Sequence, residues 1–503
     1  MHPFKKLLIF LGGVSLVRII VAANVELSLD EAYYWQWANH LSLSYYDHPP
    51  MVAVFIRLTT LLGETEVLVR LSAIIAAIAS TVLIYRLTKD ISGSDSAAFH
   101  SAWITNITLI FSVGAFVVSP DTPLVPFYLA GIFLFYRAVG RENSGDARTW
   151  VLWICAAISV GLAMLSKYTG IFFFIGAFIY LLVSNENRRW LKLPHPYVAA
   201  VISFIVFSPV IVWNSLHGWA SFAFQAGHGL VGRHENALVL FAEFIGLQAA
   251  LYSVGIFFFL LAAAVILTRK AFGTYDRKGG ERAVRDENAL FLFSFSVPLL
   301  AFFIANSIRA QVEGNWPILG FLPLFVYFGT QVDRWNSSPK TRRYFRASIA
   351  LAAFLWVFVH MQVVNPVIPH PKRFEISRRV FGWKILASKI DEIRKNFSPA
   401  FIVSNRFQIG TLMTYYTDPH LVSYLIGPNN DRLSYLPSVD DLTGKNAIYI
   451  TQTGVKRDRS EDLRKIFERV EKAGPVDIIR KGELIRKFTL YRCYNYRGGL
   501  AGL

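Results

Sequence analysis

The segment Asp30-Glu31-Ala32-Tyr33-Tyr34-Trp35-Gln36-Trp37 sets two carboxylates among aromatic rings, and Tyr45-Tyr46-Asp47-His48-Pro49-Pro50 repeats the combination shortly afterwards. A carboxylate among rings is poorly hydrated, which raises its pKa toward the range of a general base. A plainer reading also holds: Ser28-x-x-Glu31 is a capping box for a surface helix, and Tyr and Trp collect at membrane boundaries. A second acid, Asp121, lies in Ser119-Pro120-Asp121-Thr122-Pro123, where it either shapes a turn or serves a site. Lys167, in Ser166-Lys167-Tyr168, suits a phosphate ligand or a snorkelling lysine. Two further stretches, Trp213-Asn214 through Phe224-Gln225 and Arg309 through Glu313, Asn315, Trp316 and Pro317, mix rings, amides and charge. Rings stack on sugars and amides bond their hydroxyls, while Arg309 can pair with a phosphate or a carboxylate.

What holds these segments is apolar. Of 503 residues 54% are hydrophobic and only 17% charged, with 51 Lys+Arg against 34 Asp+Glu. That composition excludes a disordered chain, and two cysteines, Cys155 and Cys493, exclude a disulfide framework. The basic excess falls between long apolar runs, which points to a membrane and away from nucleic acid. Runs near 7–23, 67–85, 99–118, 123–139, 150–165, 168–184, 197–213, 244–267, 289–306, 316–331 and 345–363 are long and apolar enough to cross. The first follows Lys5 and Lys6 with no small-residue cleavage site after it, so it reads as an uncleaved helix.

The charge bias orients the spans. Basic residues such as Arg86, Lys89, Arg137, Arg188, Arg189, Arg269, Lys270, Arg334 and Arg342 fall on one side, with the basic loop 269–285 among them. The opposite short loops carry Arg57, Lys167, Arg233 and Arg309. With the N-terminus inside, the positive-inside rule puts all five polar-aromatic segments on the outer face, together with residues 364–503. That tail loses the long apolar runs. Strand-like stretches at Ala400–Ser404, Leu421–Leu425 and Asn446–Thr451, with a helical pattern over Ser460–Lys472, predict a small α/β domain. The expected organisation is a membrane domain over 1–363, with a long first outer loop over about 24–66, followed by an extracytoplasmic domain over 364–503.

The motifs Asp30-Glu31-Ala-Tyr33-Tyr34-Trp35, Tyr46-Asp47-His48-Pro49-Pro50, Ser119-Pro120-Asp121-x-Pro123-Leu124, Ser166-Lys167-Tyr168 and Glu313-x-Asn315-Trp316-Pro317 resemble those of the GT-C superfamily. These are polyprenyl-phosphate-dependent glycosyltransferases. The chain is most similar to the branch that holds aminoarabinose transferases of lipid A, rhizobial galacturonosyltransferases and protein O-mannosyltransferases. The resemblance implies an α-helical polytopic fold of about 11–13 transmembrane helices with a small C-terminal α/β domain, set in the bacterial inner membrane. It implies transfer of one sugar, with inversion, from an undecaprenyl-phosphate donor to a glycolipid acceptor such as lipopolysaccharide core or lipid A, by a monomer. Asp30 matches the family's acid in the first loop, a base or acceptor-positioning group, and Asp121 the second acidic position. Glu31, Tyr33, Tyr34, Tyr46, Asp47, Glu313, Asn315 and Trp316 are the expected substrate contacts. His48 stands where the aminoarabinose transferases carry a lysine ahead of the Pro-Pro pair, so Lys167 and Arg309 join it as candidate phosphate ligands.

Some relatives use a divalent ion. His40, Asp47, His48, Asp121, His217 and His228 are the outer candidates, but none has a ligand spacing, so no metal or other cofactor is expected to be obligatory. The sequence shows no phosphate-binding glycine loop, consistent with a donor already activated on a lipid. Three other readings remain: a flippase, to which Arg18 and Arg70 in apolar runs lend support; a glycan ligase; and a protein O-glycosyltransferase.

Overall fold

In hydrocarbon every backbone N–H and C=O must find its partner within the segment, so apolar runs become helices. The computed structural model describes residues 2–230, 236–273, 286–368, 376–426, 430–454 and 458–500. Among them eight helices are long and apolar enough to cross a membrane: Pro3–Asn24, Glu66–Ser92, Asp121–Val139, Ala147–Ser166, His195–Leu216, Val254–Phe272, Glu287–Asn306 and Pro339–Val364. The chain is a multi-pass membrane protein. Arg233 and most of the basic loop, 274–285, lie outside the described residues, as does the side chain of His228.

Several apolar runs are broken where the sequence predicts one rod. The run 99–118 is Asp95–Ile107 followed by Leu109–Gly114, and 168–184 starts as a 3-10 turn before Phe172–Val183. The run 244–267 divides into Ala237–Leu251 and Val254–Phe272, because Ser253 takes φ +63°. Hydroxyl side chains bond carbonyls at two interruptions: Thr108 Oγ1 donates to Thr105 O at 2.7 Å, and, where Glu287–Ser294 gives way to Val297–Asn306, Ser296 Oγ donates to Gly320 O at 2.7 Å.

Residues fall into two compact units. The first comprises Met1–Ile19, Leu43–Val52 and Leu71–Val359. Its core packs Tyr128, Phe135, Trp153, Phe173, Phe291 and Phe325, while Ile205, Phe258 and Phe354 are exposed, as suits a surface solvated by lipid. Arg18 is buried in this unit. Its Nη2 donates to Asn106 Oδ1 at 2.8 Å, and Asn106 Nδ2 donates on to Thr81 Oγ1 at 2.9 Å, so a neutral chain receives this cation.

The second unit comprises Ile20–Ser42, Ala53–Arg70 and His360–Leu503, so it takes much of the first loop together with the tail. Five strands, β1 (Pro399–Ser404), β2 (Ser423–Leu425), β3 (Asn446–Gln452), β4 (Phe467–Arg480) and β5 (Glu483–Tyr496), form one sheet in the order β2-β1-β3-β5-β4. The pairs β1–β2 and β1–β3 are parallel, and β3–β5 and β4–β5 are antiparallel. The first three strands lie where the sequence places them. The helix expected over Ser460–Lys472 is only one turn, Ser460–Leu463, before β4 begins. Leu463, Ile466, Phe467 and Val470 fit a helical stripe, but from Phe467 the residues pair with β5, and that long-range ladder decides.

Glu26 shows how the tail is held. Its carboxylate accepts the backbone N–H groups of Trp383, at 2.5 Å, and Lys384, at 3.4 Å, at the start of the Trp383–Arg394 helix. Burial raises this carboxyl above its usual range, and the N–H bonds and the Lys384 charge only partly offset it. A carboxyl raised in the folded state favours folding below the unfolded pKa, and that contribution is lost as pH rises through the folded value. The tail is therefore expected to be held more firmly under mild acid. Glu26→Gln should flatten this dependence in a thermal-denaturation series across pH. An unchanged slope would show that another group carries it.

Candidate active site

In the first unit, three separate segments meet at Asp121. Pro120 and Asp121 open the Asp121–Val139 helix, so the carboxylate sits at a helix N-terminus, where the macrodipole favours negative charge. The preceding turn is locked by Thr122, whose Oγ1 accepts from Ser119 N at 3.1 Å. Lys167 caps the Ala147–Ser166 helix from the other side, and its Nζ bonds both carboxylate oxygens of Asp121, at 2.9 and 3.1 Å. Both side chains are only about a tenth exposed. Asn315 Nδ2 donates to Oδ2 of the same carboxylate. The position of Lys167 depends on Gly170: a Cβ there would stand 2.7 Å from Ala163 C and Met164 N, so the chain could not fold back against the helix end.

The same unit holds other residues that the sequence singles out. Tyr168 OH is 2.6 Å from Ser221 Oγ and lies within reach of Asn214 and Ser44. Gln225 Nε2 donates to the carbonyl of Asp47 at 2.5 Å, and Tyr46 faces Phe224 at 5.0 Å between ring centroids. His48 closes a turn, its carbonyl accepting from Tyr45 N at 3.2 Å. Arg309 and Glu313 are exposed, Trp316 is half-buried, and Glu313 O accepts from Trp316 N. His217 stacks on Trp213 at 4.0 Å. Among the described residues, no three His, Cys, Asp or Glu side chains are placed to hold a metal ion.

The second unit carries the Asp30 segment on the Leu29–Asn39 helix, whose capping box of Ser28 and Glu31 is complete. The neighbouring acids have opposite environments. Asp30 is exposed, so the poor hydration expected from its aromatic neighbours is absent. The guanidinium that feels its charge is Arg406, which burial lowers and Asp30 pulls back up. Glu31 is fully buried. Its Oε1 and Oε2 accept from Arg70 Nε and Nη2 at 2.9 and 2.8 Å, and Oε2 also accepts from Ser28 N. Arg70 donates further to the carbonyls of Ala22, Val25 and Glu26.

The aromatic run is packing in this unit, which corrects the boundary-belt reading of Trp35 and Trp37. Tyr33 OH donates to Arg432 O at 3.1 Å with its ring against Phe407, and Trp35 meets Tyr415 edge-on at 4.9 Å. Tyr34 and Trp37 are also buried, so three of the expected substrate contacts, Glu31, Tyr33 and Tyr34, are covered side chains on the helix that carries Asp30. Arg406, the guanidinium within electrostatic range of Asp30, carries no motif that marks it in the sequence.

Solved structures share this architecture. ArnT from Cupriavidus metallidurans matches in its apo state with a TM-score of 0.65 at 15% identity, over 97% of this chain and 98% of that one. ArnT bound to undecaprenyl phosphate matches at 0.64 and 15% identity, over 96% and 97%. The archaeal oligosaccharyltransferase AglB from Archaeoglobus fulgidus, in complex with an inhibitory peptide and a dolichol-phosphate, matches at 0.52 and 12% identity, over 89% and 70%. A family model described as dolichyl-phosphate-mannose-protein mannosyltransferase matches residues 47–213. The chain has the GT-C fold that these integral-membrane structures share. Among individual relatives, the lipid A galacturonosyltransferase RgtD of Rhizobium johnstonii is 23% identical over 470 residues, 88% of this chain and 90% of that protein.

Proposed function

We propose that this glycosyltransferase moves one sugar, with inversion, from a polyprenyl-phosphate donor to lipopolysaccharide core or lipid A at the periplasmic face of a bacterial inner membrane. The observation that carries the reading is the meeting of Asp121, Lys167 and Asn315 in one nearly buried cluster. An ammonium held by a carboxylate is a ready ligand for a phosphate that arrives with its lipid. As the bond from C1 to the phosphate oxygen breaks, its electron pair stays on the polyprenyl phosphate, where Lys167 offsets the growing charge. The acceptor oxygen attacks C1 from the opposite side. An acceptor hydroxyl gives its proton to Asp30, whereas an anionic acceptor phosphate needs only positioning. Arg309, exposed on the same unit as Lys167, is a second cation for an anionic group.

The sugar we favour is a uronic acid, supported by exposed Arg309 and by the relative that transfers galacturonic acid. Envelope glycolipids of a strain lacking the chain should lose one sugar mass, and the wild-type gene should restore it. An unchanged glycolipid and glycoprotein profile would overturn the reading. With purified enzyme, a neutral-sugar donor is expected to turn over at least about tenfold more slowly than the uronic-acid donor, because the cation loses its partner. Equal turnover would remove the uronic-acid assignment and leave glycosyl transfer standing.

A further inference from the structure

The C-terminal turn of the Ala237–Leu251 helix holds three buried polar groups with unmet valences. Tyr252 is 0% exposed, Gln248 1% and Ser253 0%. Tyr252 Oη, Gln248 Oε1 and Ser253 Oγ all lack a hydrogen-bond partner among the described residues. Buried polar atoms are rarely left so, and three on neighbouring positions of one turn form a concentrated exception. Gln248 and Tyr252 are four residues apart and share a face, the Tyr252 N–H donating to Gln248 O at 3.0 Å. Ser253 keeps a left-handed backbone, φ +63°, which an L-residue adopts only at a cost.

This turn is tied to the Asp121 cluster. Gln248 Nε2 donates to Gly314 O at 3.1 Å, and the next residue, Asn315, bonds Asp121. Gly314 lies so close that a Cβ would stand 2.5 Å from Leu251 Cδ1. Tyr252 also lies within electrostatic range of the Asp121 carboxylate.

We propose that Gln248, Tyr252 and Ser253 form a subsite for sugar hydroxyls beside Asp121, reached when the Gly314–Asn315 turn yields to the incoming ring. The set is uncharged and mixes an acceptor, Gln248 Oε1, with two hydroxyls that donate or accept. A phosphate or carboxylate needs donors alone, so the carbonyl oxygen of Gln248 would repel it. A polyol ring uses both kinds. The subsite therefore reads which ring positions carry hydroxyls, and Lys167 of the Asp121 cluster takes the phosphate.

The inference rests on the glycosyl-transfer reading, and its test separates the two. Purified full-length enzyme in lipid nanodiscs is assayed with undecaprenyl-phosphate galacturonate, its monodeoxy analogues and a lipid A acceptor. Tyr252→Phe should lower kcat/KM about tenfold, mainly through KM, and should lose the discrimination against one deoxy donor. Its thermal midpoint should hold or rise, because the deleted hydroxyl has no partner in the free protein. Ser253→Gly, which tolerates the positive φ, should also keep the fold and weaken donor use. If both variants retain wild-type kcat/KM and deoxy discrimination, the three groups hold internal water only and the subsite is rejected while transfer stands. If the wild type itself transfers no sugar from any polyprenyl-phosphate donor, both readings fall.

Discussion

Lys167→Met is expected to lower transfer by about 10³-fold and to destabilise the first unit, whereas Asp121→Asn/Lys167→Met should regain most of the stability and none of the activity. Lys167 Nζ is 2.9 and 3.1 Å from the Asp121 oxygens at a site about one-tenth exposed. Removing the ammonium alone leaves a carboxylate with little water and one amide donor, Asn315. Breaking a buried pair from one side costs about 3–5 kcal/mol, since the remaining charge is uncompensated. Neutralising both sides removes that penalty. The catalytic deficit has another origin: the departing phosphate loses a charge that was positioned in advance, worth about 10²–10³-fold for a single donor and more when the group is fully charged. Thermal unfolding and donor turnover, measured on the two single variants and the double, distinguish these effects. A double variant that recovers transfer would show the pair to be structural, and the assignment of Lys167 to the donor phosphate would fail.

The second large effect separates two adjacent acids. Glu31→Gln is expected to destabilise the second unit by about 3–5 kcal/mol, because Arg70 would keep its buried charge with only carbonyls and a neutral amide around it. Asp30→Asn, at an exposed position, should leave the thermal midpoint within about 0.5 kcal/mol of wild type and stop transfer to a hydroxyl acceptor. Glu31→Gln should therefore show low yield and a lowered midpoint, with residual activity that follows the folded fraction. Asp30→Asn should show full yield and an inactive enzyme. Were Asp30→Asn fully active, the base would have to be sought elsewhere, and Asp30 would be one more first-turn acid at a helix N-terminus.

The membrane class, the overall fold and the small sheet were legible because each rests on a local pattern. Apolar length fixes a membrane helix, short apolar β-branched runs mark β1 and β3, and Ser28-x-x-Glu31 announces its own helix start. Arg70, which as a charge in an apolar run lent support to a flippase, is instead paired with Glu31 in the folded chain. Where local patterns were ambiguous the sequence misled. The stripe from Leu463 to Val470 has helical spacing, and pairing with β5 from Phe467 onward overrides it.

The division of labour among the polar residues belongs to the tertiary structure. Asp30 and Glu31 differ by one methylene and one position, yet a helix turns one outward and the other onto Arg70. The composition of the aromatic run was plain, but its burial against Phe407, Tyr415 and Arg432, nearly 400 positions away, was not. Asp121, Lys167 and Asn315 span 194 residues, and folding alone brings their atoms within hydrogen-bond reach. The sequence by itself determined what this protein is made to live in and which residue types it offers for chemistry, since hydrophobicity and helix signals act over a few turns. Which carboxylate binds a cation, which ring is core and which buried hydroxyl waits for a partner depend on contacts between distant segments, and only the folded chain decides them.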